Sequence, residues 1–524
     1  MENAGRQRVR LAELVASLSL GVDLGFGQPM EHVLRQCLIA LRLAERCALG
    51  EQDRASVYYT ALLVNVGCHS DAHEQAKWFG DDIALKSGKY DHELRSVRGT
   101  LATMRLIGAG NSPLYRFRVG LEFAVAGHRQ VDGMISQHAR LARTLAEQLG
   151  LPSAVRDAVG SAYEQWDGKG WPGELRANAV PVAARIAQLA EFMEVAHRVR
   201  GVAAARSLAR ARAGRQFDPD LAALLCGSAE EIFDGLDTVP TWQAVIAAEP
   251  ALTVGLSPDE LDSALTAIAN FVDLKSPYTL GHSVAVAELA EDAGRRLGLP
   301  AEKTGLLRRA GLVHGYGRLG VSNSILDRPG PLSAGEWERV RMSPYLTERM
   351  LRQSAALAPL GEIAVQLRER LDGSGYPRGL SGGAISRLAR VLGAAESYQA
   401  MREPRPYRPA HSAADAVAEL ENEVRAGRLD REAVAAVLEA AGHRVARRRT
   451  AVAGLTAREV EVLVLLARGA SNKQIATSLV ITPKTARNHV EHIYAKIGAS
   501  SRASAAMFAM QHGLLPEDET AVPV

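Results

Sequence analysis

Four polar side chains near the end of the chain have the types and spacing that base recognition in DNA requires. Lys484, Arg487, Asn488 and Glu491 fall on one face if this segment is helical. Arginine can donate to guanine, asparagine can pair with adenine, and glutamate can accept from cytosine N4. The major groove admits a helix, so this face predicts sequence-specific binding to double-stranded DNA; a solvated helix face is the alternative.

The elements that must position this face are marked by helix-capping signals. A Ser or Thr followed three residues later by Glu or Gln caps a helix start, and Pro is favoured at the first helical position. In chain order the signals are Thr456 with Glu459, Ser471 with Gln474, Thr482 with Pro483, and the terminating Gly498. In the last of these helices the apolar residues predicted to face inward are Ala486, Val490, Ile493 and Ile497. Together they predict a helix-turn-helix.

Residues 455–463, 472–476 and 485–498 resemble the LuxR-type DNA-binding domain. The resemblance implies a four-helix unit whose last helix, about residues 502–512, pairs with a second copy on DNA, so a homodimer is expected. It also implies that Arg487 and Asn488 read bases. The DNA-contacting residues predicted from the side-chain chemistry and the resemblance are Lys473, Thr482, Lys484, Thr485, Arg487, Asn488, Glu491 and Lys496.

Positive charge is concentrated in this region. Residues 444–515 carry eleven Lys or Arg and three Glu, a balance of +8, whereas the whole chain has a net charge of +3. A local basic region favours attraction to the phosphate backbone. The basic linker predicted at residues 446–453 could touch that backbone or could be merely solvated.

Length and composition indicate several folded domains. The chain has 524 residues, of which 47% are hydrophobic and 23% charged, an ordinary composition for a soluble protein. We predict domains at residues 1–245, 256–445 and 454–516, followed by an acidic tail at 517–524. The sequence contains no membrane-length apolar segment, no signal-peptide pattern and no paired cysteine spacing, so we expect a cytoplasmic protein without membrane attachment.

An internal repeat organises the region before the helix-turn-helix. His32 and Gly67 match His282 and Gly317 at an offset of 250, and residues 167–172 match 372–377 at an offset of 205. The change of offset gives the first copy about 45 extra residues, which we place in an insertion at roughly 79–131. Two copies of one mostly helical module are therefore expected.

The second copy resembles the HD-GYP family, which implies an all-helical, metal-dependent phosphodiesterase that opens cyclic di-GMP. The resemblance is carried by His282 and by residues 312–321, 369–377 and 404–408. The fold class expected for the whole chain is mainly all-α, with two tandem HD-type domains followed by the four-helix DNA-binding domain.

The family's metal ligands are only partly retained. His282 and His314 remain and Glu396 stands for the late Asp, but Gly315 replaces the Asp of the His-Asp pair. Leu367 and Arg368 replace paired histidines. The weak metal candidates His282, His314 and Glu396 could hold one metal at most, and the Arg368 guanidinium would repel it. We therefore expect no hydrolase activity and no cofactor; an active phosphodiesterase is the alternative.

The first copy departs further from the family pattern. It keeps His32 but has Val64-Asn65 at the His-Asp position and Ala162-Tyr163 at the paired histidines. Such domains could serve as a ligand sensor or as a dimerisation platform without a ligand. For the sensor we expect a nucleotide or another anion to bind four arginines of the second copy, Arg318, Arg370, Arg378 and Arg390.

Overall fold

The computed structural model describes residues 8–90, 104–108, 112–123, 128–250, 255–442 and 453–515. All regular elements in these ranges are helices, and β-type pairing there is limited to isolated bridges. The mainly all-α fold expected from the sequence is thus confirmed. Residues 446–452 of the predicted basic linker, the predicted acidic tail and parts of the predicted insertion lie outside the described residues.

The chain forms two compact units. The first comprises Met1–His69 and Glu74–Ala264, and the second comprises Ser70–His73 and Leu265–Val524. Within the described ranges, no helix has both the length and the apolar character needed to cross a bilayer.

Twelve α-helices are described before residue 250. In chain order they are α1 (Leu11–Gly25), α2 (His32–Arg46), α3 (Glu51–Leu63), α4 (Ala72–Phe79), α5 (Asp82–Ser87), α6 (Pro113–Glu122), α7 (His128–Gln148), α8 (Ser153–Gly160), α9 (Val182–Arg212), α10 (Pro219–Gly227), α11 (Ala229–Phe233) and α12 (Thr241–Ala247). Short 3-10 helices lie at Val66–His69, Gly88–Tyr90 and Ala177–Ala179.

Ten helices are described from residue 258 to the last helix of the HD-type module. They are α13 (Pro258–Asp273), α14 (His282–Arg296), α15 (Ala301–Val313), α16 (Asn323–Leu326), α17 (Ala334–Arg341), α18 (Ser343–Leu351), α19 (Ala358–Ala364), α20 (Arg387–Arg402), α21 (Ala413–Arg425) and α22 (Arg431–Gly442). Short 3-10 helices lie at Tyr316–Gly320 and Gly382–Ala384. Helices α14, α15, α20 and α22 bury a common apolar core, which fixes the positions of the two helices that carry site residues, α14 and α20.

The helices confirm the internal repeat. The helices α2 and α14 both begin at the aligned histidine, and each has 15 residues. In both cases the preceding residue has a left-handed backbone, with φ of 79° at Glu31 and 74° at Gly281. The starts of α9 and α20, Val182 and Arg387, keep the offset of 205 found in the sequence.

A buried glutamate closes the same loop in each copy. Glu164 accepts the backbone N–H groups of Gly173, Glu174 and Leu175 at 2.8–3.2 Å. Glu369, 205 residues later, accepts those of Arg378 and Leu380 at 2.7 and 2.8 Å. These carboxylates satisfy backbone donors that the irregular loop cannot pair by itself. We call this arrangement the carboxylate clamp.

The last four helices form the predicted helix-turn-helix unit. They are α23 (Ala457–Ala467), α24 (Asn472–Leu479), α25 (Pro483–Ile497) and α26 (Arg502–Gln511). Both predicted capping boxes are present, and Thr482 caps α25 by accepting from the backbone N–H of Thr485 at 3.1 Å. Gly498 ends α25 in a left-handed conformation, as the sequence predicts. In the turn before α25, Val480 also has a left-handed backbone, with φ of 53°, and 91% of the residue is exposed.

Candidate functional site

Two histidines and one glutamate of the second copy converge in a buried cluster. One ligand atom from each of His282, His314 and Glu396 lies within 4.8 Å of the others. His282 begins α14, His314 follows the last residue of α15, and Glu396 lies within α20. The fold therefore brings together all three weak metal candidates that the sequence identified.

His282 is oriented by a carboxylate on its far side. Its Nδ1 lies 2.8 Å from Oε2 of Glu403, so Nδ1 carries a proton, while its Nε2 is buried and has no hydrogen-bond partner within the described ranges. A carboxylate behind a histidine is the usual support of a metal-ligating imidazole, because it fixes the tautomer and raises the basicity of the other nitrogen. Nε2 of His282 thus faces the cluster.

His314 has the same tautomer for a different reason. Its Nδ1 donates to the carbonyl oxygen of Gly311 at 2.6 Å, which leaves Nε2 as the acceptor. The Nη2 atom of Arg318 lies 3.1 Å from this nitrogen. Burial and the adjacent Arg318 guanidinium hold the pKa of His314 well below its usual range, so the imidazole is neutral.

Glu396 is ionised and paired with a cation of the chain itself. Burial acts to raise the pKa of its carboxyl, but Arg368 above all, with the neighbouring histidines and Arg318, lowers it to about 2. Arg368 forms an ion pair with Oε1, whereas Oε2 is buried and, among the described residues, has no hydrogen-bond partner. The guanidinium is thus placed on the carboxylate, and one carboxylate oxygen remains available.

These residues fit one divalent metal. Two imidazole nitrogens and a carboxylate are donors that Fe, Mn and Zn accept, and two of the three residues have buried donor atoms without another hydrogen-bond partner in the described part of the chain. Gly315 contributes no ligand where the family has Asp, so the described cluster accounts for a single metal rather than two.

A further acidic residue beside the cluster, Asp273, was missed in the sequence. Asp273, the last residue of α13, accepts from the backbone N–H and the hydroxyl of Ser283, both at 2.8 Å, and lies 3.9 Å from Nη1 of Arg318. Burial raises the pKa of Asp273 to about 6. The sequence contained a signal for Asp273, because Asp23 stands at the equivalent position 250 residues earlier. In the first copy, Asp23 accepts the backbone N–H of Val33 at 3.0 Å.

A cavity of about 830 Å³ opens over the cluster. Its volume falls in the range of small-molecule sites. Aromatic residues at its edge include Trp337 and Tyr407, which are 47% and 63% exposed. The cations that line it are Lys275, Arg318, Arg328, Arg368, Arg370, Arg405 and Arg408. A polyanionic ligand with flat rings matches this lining.

The four arginines expected to bind an anion are not brought together. Arg318 and Arg370 line the cavity. Arg378 instead pairs with both carboxylate oxygens of Glu348 at 2.6 Å. Arg390 bonds Asp430 at 3.0 Å and lines a separate, smaller cavity. Arg405 and Arg408, which also line the cavity, belong to residues 404–408, one of the segments that carry the HD-GYP resemblance. The sequence therefore did contain a signal for these two arginines.

The predicted DNA-reading face is accessible in the described structure. Lys473, Lys484, Arg487, Asn488 and Glu491 are exposed, while Ala486, Val490 and Ile493 are buried as predicted. Nε of Arg487 lies 2.9 Å from Glu491, an exposed pair one helical turn apart. An exposed pair of this kind contributes little to stability and can be exchanged for contacts to DNA.

Lys496 has a different environment from the other predicted phosphate contacts. Its Nζ donates to Oε2 of Glu459 at 2.7 Å and to the carbonyl of Gly454 at 3.2 Å. Glu459 is the buried acidic residue of the first capping box. Lys496 therefore ties the end of α25 to the start of α23.

The helix-turn-helix contacts the segment that leads into His282. The backbone N–H of Gly281 donates to Sδ of Met510 in α26 at 3.1 Å. A Cβ atom added at Gly469, after α23, would lie 3.2 Å from Pro277. Burial lowers the pKa of Arg468, and the charge of Glu403, the carboxylate behind His282, opposes this. Residues 277–282, which lead into α14 and end at His282, therefore contact the helix-turn-helix.

Comparison with known protein families gives two matches. A model described as "HD domain" matches residues 130–221 and 266–433. A model described as "Bacterial regulatory proteins, luxR family" matches residues 453–509.

The chain is also similar to known phosphodiesterases. It is 31% identical over 434 residues to the 3'3'-cGAMP-specific phosphodiesterase 3 of Vibrio cholerae, which is 82% of this chain and 94% of that protein. It is 35% identical over 206 residues to a cyclic di-GMP phosphodiesterase of Pseudomonas aeruginosa, 37% of this chain and 48% of that protein. A crystal structure of a Vibrio cholerae cyclic GMP-AMP-specific phosphodiesterase has a TM-score of 0.59, with 27% identity, 84% of this chain and all of that chain covered.

These similarities correct one expectation from the sequence. The replaced metal ligands led us to expect that the chain is not an enzyme. That expectation is wrong: a phosphodiesterase that matches 82% of the chain, together with the matching crystal structure, points to hydrolase activity. The error came from counting lost ligands by position, whereas the retained atoms of His282, His314 and Glu396 still meet in space.

Proposed function

Because this chain belongs to the HD-domain family that includes the 3'3'-cGAMP-specific phosphodiesterases, and also carries a LuxR-family DNA-binding domain, we propose that it is a cyclic-dinucleotide phosphohydrolase that binds DNA. The supporting observation is the meeting of His282, His314 and Glu396 beneath a cationic, aromatic-edged cavity.

The proposed substrate is a cyclic dinucleotide with two phosphodiester groups. Arg318, Arg405 and Arg408 would bind the phosphodiester oxygens, because guanidinium groups match phosphate with paired donors. Trp337 and Tyr407 would stack on the bases at the cavity edge.

The three ligands would hold one divalent metal. When bound, such a metal supplies a Lewis acid for the phosphoryl oxygen and lowers the pKa of a water molecule. Glu403 would keep His282 in the ligating tautomer, and the carbonyl of Gly311 would do the same for His314. Hydrolysis adds one water across a P–O bond and yields the linear dinucleotide.

Turnover by the purified full chain tests this proposal. The chain is incubated with Mn²⁺ or Fe²⁺ and with 3'3'-cGAMP or cyclic di-GMP, and the linear products are quantified. We expect product from the wild type, and its loss in His282→Ala and Glu396→Gln. His411→Ala, which changes a histidine outside the cluster, serves as the matched control. Turnover that survives His282→Ala, or none with either metal, contradicts the proposal.

For the DNA-binding domain we propose sequence-specific contact through the major groove by α25. The exposed Arg487 and Asn488 would read bases, with Lys473, Lys484 and Thr485 on phosphates. Fragments selected from genomic DNA by the full chain supply the specific site. Arg487→Ala with Asn488→Ala should weaken binding to it about 100-fold, whereas Glu461→Ala on α23 should not. Equal loss for specific and random fragments would contradict base reading.

The domain bounds, the oligomeric state and the location that the sequence predicts remain proposals. We propose domains at residues 1–245, 256–445 and 454–516, a homodimer on DNA, and a cytoplasmic location. A twofold-symmetric selected site with half-sites one helical turn apart would support the dimer.

A further inference from the structure

The first copy of the HD-type module has an internal cation at the position corresponding to the metal cluster. By the two sequence offsets, His32, Asn65 and Glu191 correspond to His282, Gly315 and Glu396. All three are buried. Lys89, from the segment that the first copy carries beyond the second, reaches this cluster with only 14% of its side chain exposed.

Lys89 and its neighbour engage the groups that the second copy leaves open. The Lys89 ammonium forms an ion pair with Glu191 and donates to Oδ1 of Asn65 at 2.9 Å. The Tyr90 hydroxyl donates to Oε1 of Glu191 at 3.0 Å and lies 3.3 Å from Nε2 of His32. In the second copy the corresponding histidine nitrogen and one glutamate oxygen have no hydrogen-bond partner among the residues that the structure describes.

The electrostatics of the first copy require a cation at this place. Burial acts to raise the pKa of Glu191, yet the Lys89 ammonium, with help from Asn65 and His32, holds it below the usual range. Two aromatic rings complete the surroundings of the ammonium, at 4.5 Å from the centroid of Phe26 and 5.1 Å from that of Tyr90. A buried carboxylate without such a partner would be strongly unfavourable.

We propose that Lys89 is a tethered cation that substitutes for a divalent metal in the first copy and fastens the insertion into the former metal site. The first copy is then complete without a metal, and a small cation fits its site only when Lys89 is removed. This inference does not depend on hydrolysis by the second copy.

Metal binding to a chain disabled in the second copy gives the first test. The full-length His282→Ala, His314→Ala variant is titrated with Mn²⁺. We expect no Mn²⁺ to bind at the first copy, and binding of one Mn²⁺ per chain would overturn the proposal. The same titration after adding Lys89→Ala should reveal a new Mn²⁺ site, which a further Glu191→Gln should abolish.

Thermal unfolding of the full chain gives a second test that does not require a metal. Lys89→Met keeps the side-chain length without the charge and should lower the first unit's melting temperature by at least about 5 °C. Lys89→Arg should retain most of it. Lys169→Ala, at an exposed lysine 3.5 Å from Asp167, is the matched control.

Chemical rescue distinguishes a cation site from general packing. Ethylammonium or Mn²⁺ should raise the melting temperature of Lys89→Ala, but not that of Lys89→Ala with Glu191→Gln. A Lys89→Met variant as stable as the wild type would overturn the proposal. If Lys89→Ala does not fold, the titration of the second-copy variant and the comparison of Lys89→Met with Lys89→Arg still decide it.

Discussion

The backbone N–H of Gly281 donates to Sδ of Met510 at 3.1 Å, one residue before the metal-ligand candidate His282. Tyr278 and Thr279 of the same segment line the cavity. A ligand that moves this segment must therefore change the surface against which α26 packs.

The first prediction concerns this contact. If cavity and DNA-binding helices are coupled, 3'3'-cGAMP should change the Kd for a selected DNA fragment at least threefold, and DNA should change the ligand's affinity by the same factor. Met510→Ala should reduce the effect to less than half, while the exposed neighbour Gln511→Ala should preserve it. The measurement is fluorescence anisotropy with the full-length His282→Ala, His314→Ala chain, in which the nucleotide persists during the titration. A Kd within 1.5-fold with and without nucleotide would argue against coupling.

The second prediction concerns Arg368, the arginine paired with the candidate metal ligand Glu396. Arg368→Gln removes a positive charge that is paired with Glu396, so the affinity for Mn²⁺ should rise about tenfold. Arg378→Gln is the control, because that guanidinium pairs with Glu348 instead. Calorimetric titration of both variants measures the effect. An unchanged Mn²⁺ affinity in Arg368→Gln would mean that the guanidinium does not compete with the metal.

The third prediction separates two lysines that the sequence placed in one class. Lys473 is exposed, so Lys473→Ala should reduce the salt dependence of DNA binding by about one unit of slope without loss of stability. Lys496 is bonded to Glu459, so Lys496→Ala should destabilise α23 by about 1 kcal/mol. Amide hydrogen exchange in α23 reports the second effect. If Lys496→Ala instead reduced the salt dependence of DNA binding and left α23 equally stable, Lys496 would be a phosphate contact alone.

The fourth prediction concerns the turn before α25. A β-branched residue in the left-handed region is strained, and Val480 has φ of 53° with no burial to compensate. Val480→Gly should therefore stabilise the helix-turn-helix by about 1 kcal/mol. Val480→Ala keeps the left-handed strain and should change stability much less. Hydrogen exchange of α24 and α25 in the full chain compares the two variants, and equal protection would show that the turn is not strained.

The local parts of the structure could be predicted from the sequence. The caps Thr456, Ser471 and Thr482 and the inward face of α25 depend on residues three or four apart, so their pattern is visible in the chain. The repeat was equally visible, because each offset aligns unbroken blocks.

The side-chain pairs of the sites could not be predicted in the same way. Arg368 reaches Glu396 across 28 residues, and Lys89 reaches Glu191 across 102. No periodicity specifies such a pair, since it arises only when helices from separate stretches pack together. The sequence therefore identified the ligand positions of the second copy and Arg368 beside them, but not the ion pair between Arg368 and Glu396, and it missed Lys89 altogether.

The carboxylate clamp is present in both copies, whereas the sites beside it differ, so one chain shows which contacts stay the same when the chemistry changes. Glu164 and Glu369 have kept both their identity and their loop partners, although the sites beside them have come to hold different cations. The two copies thus share the loop that shapes the module, while the chemistry beside that loop differs between them. In other tandem proteins of this architecture, a glutamate with unchanged backbone partners in both halves would mark what folding demands, and one with altered partners would mark where function was free to change.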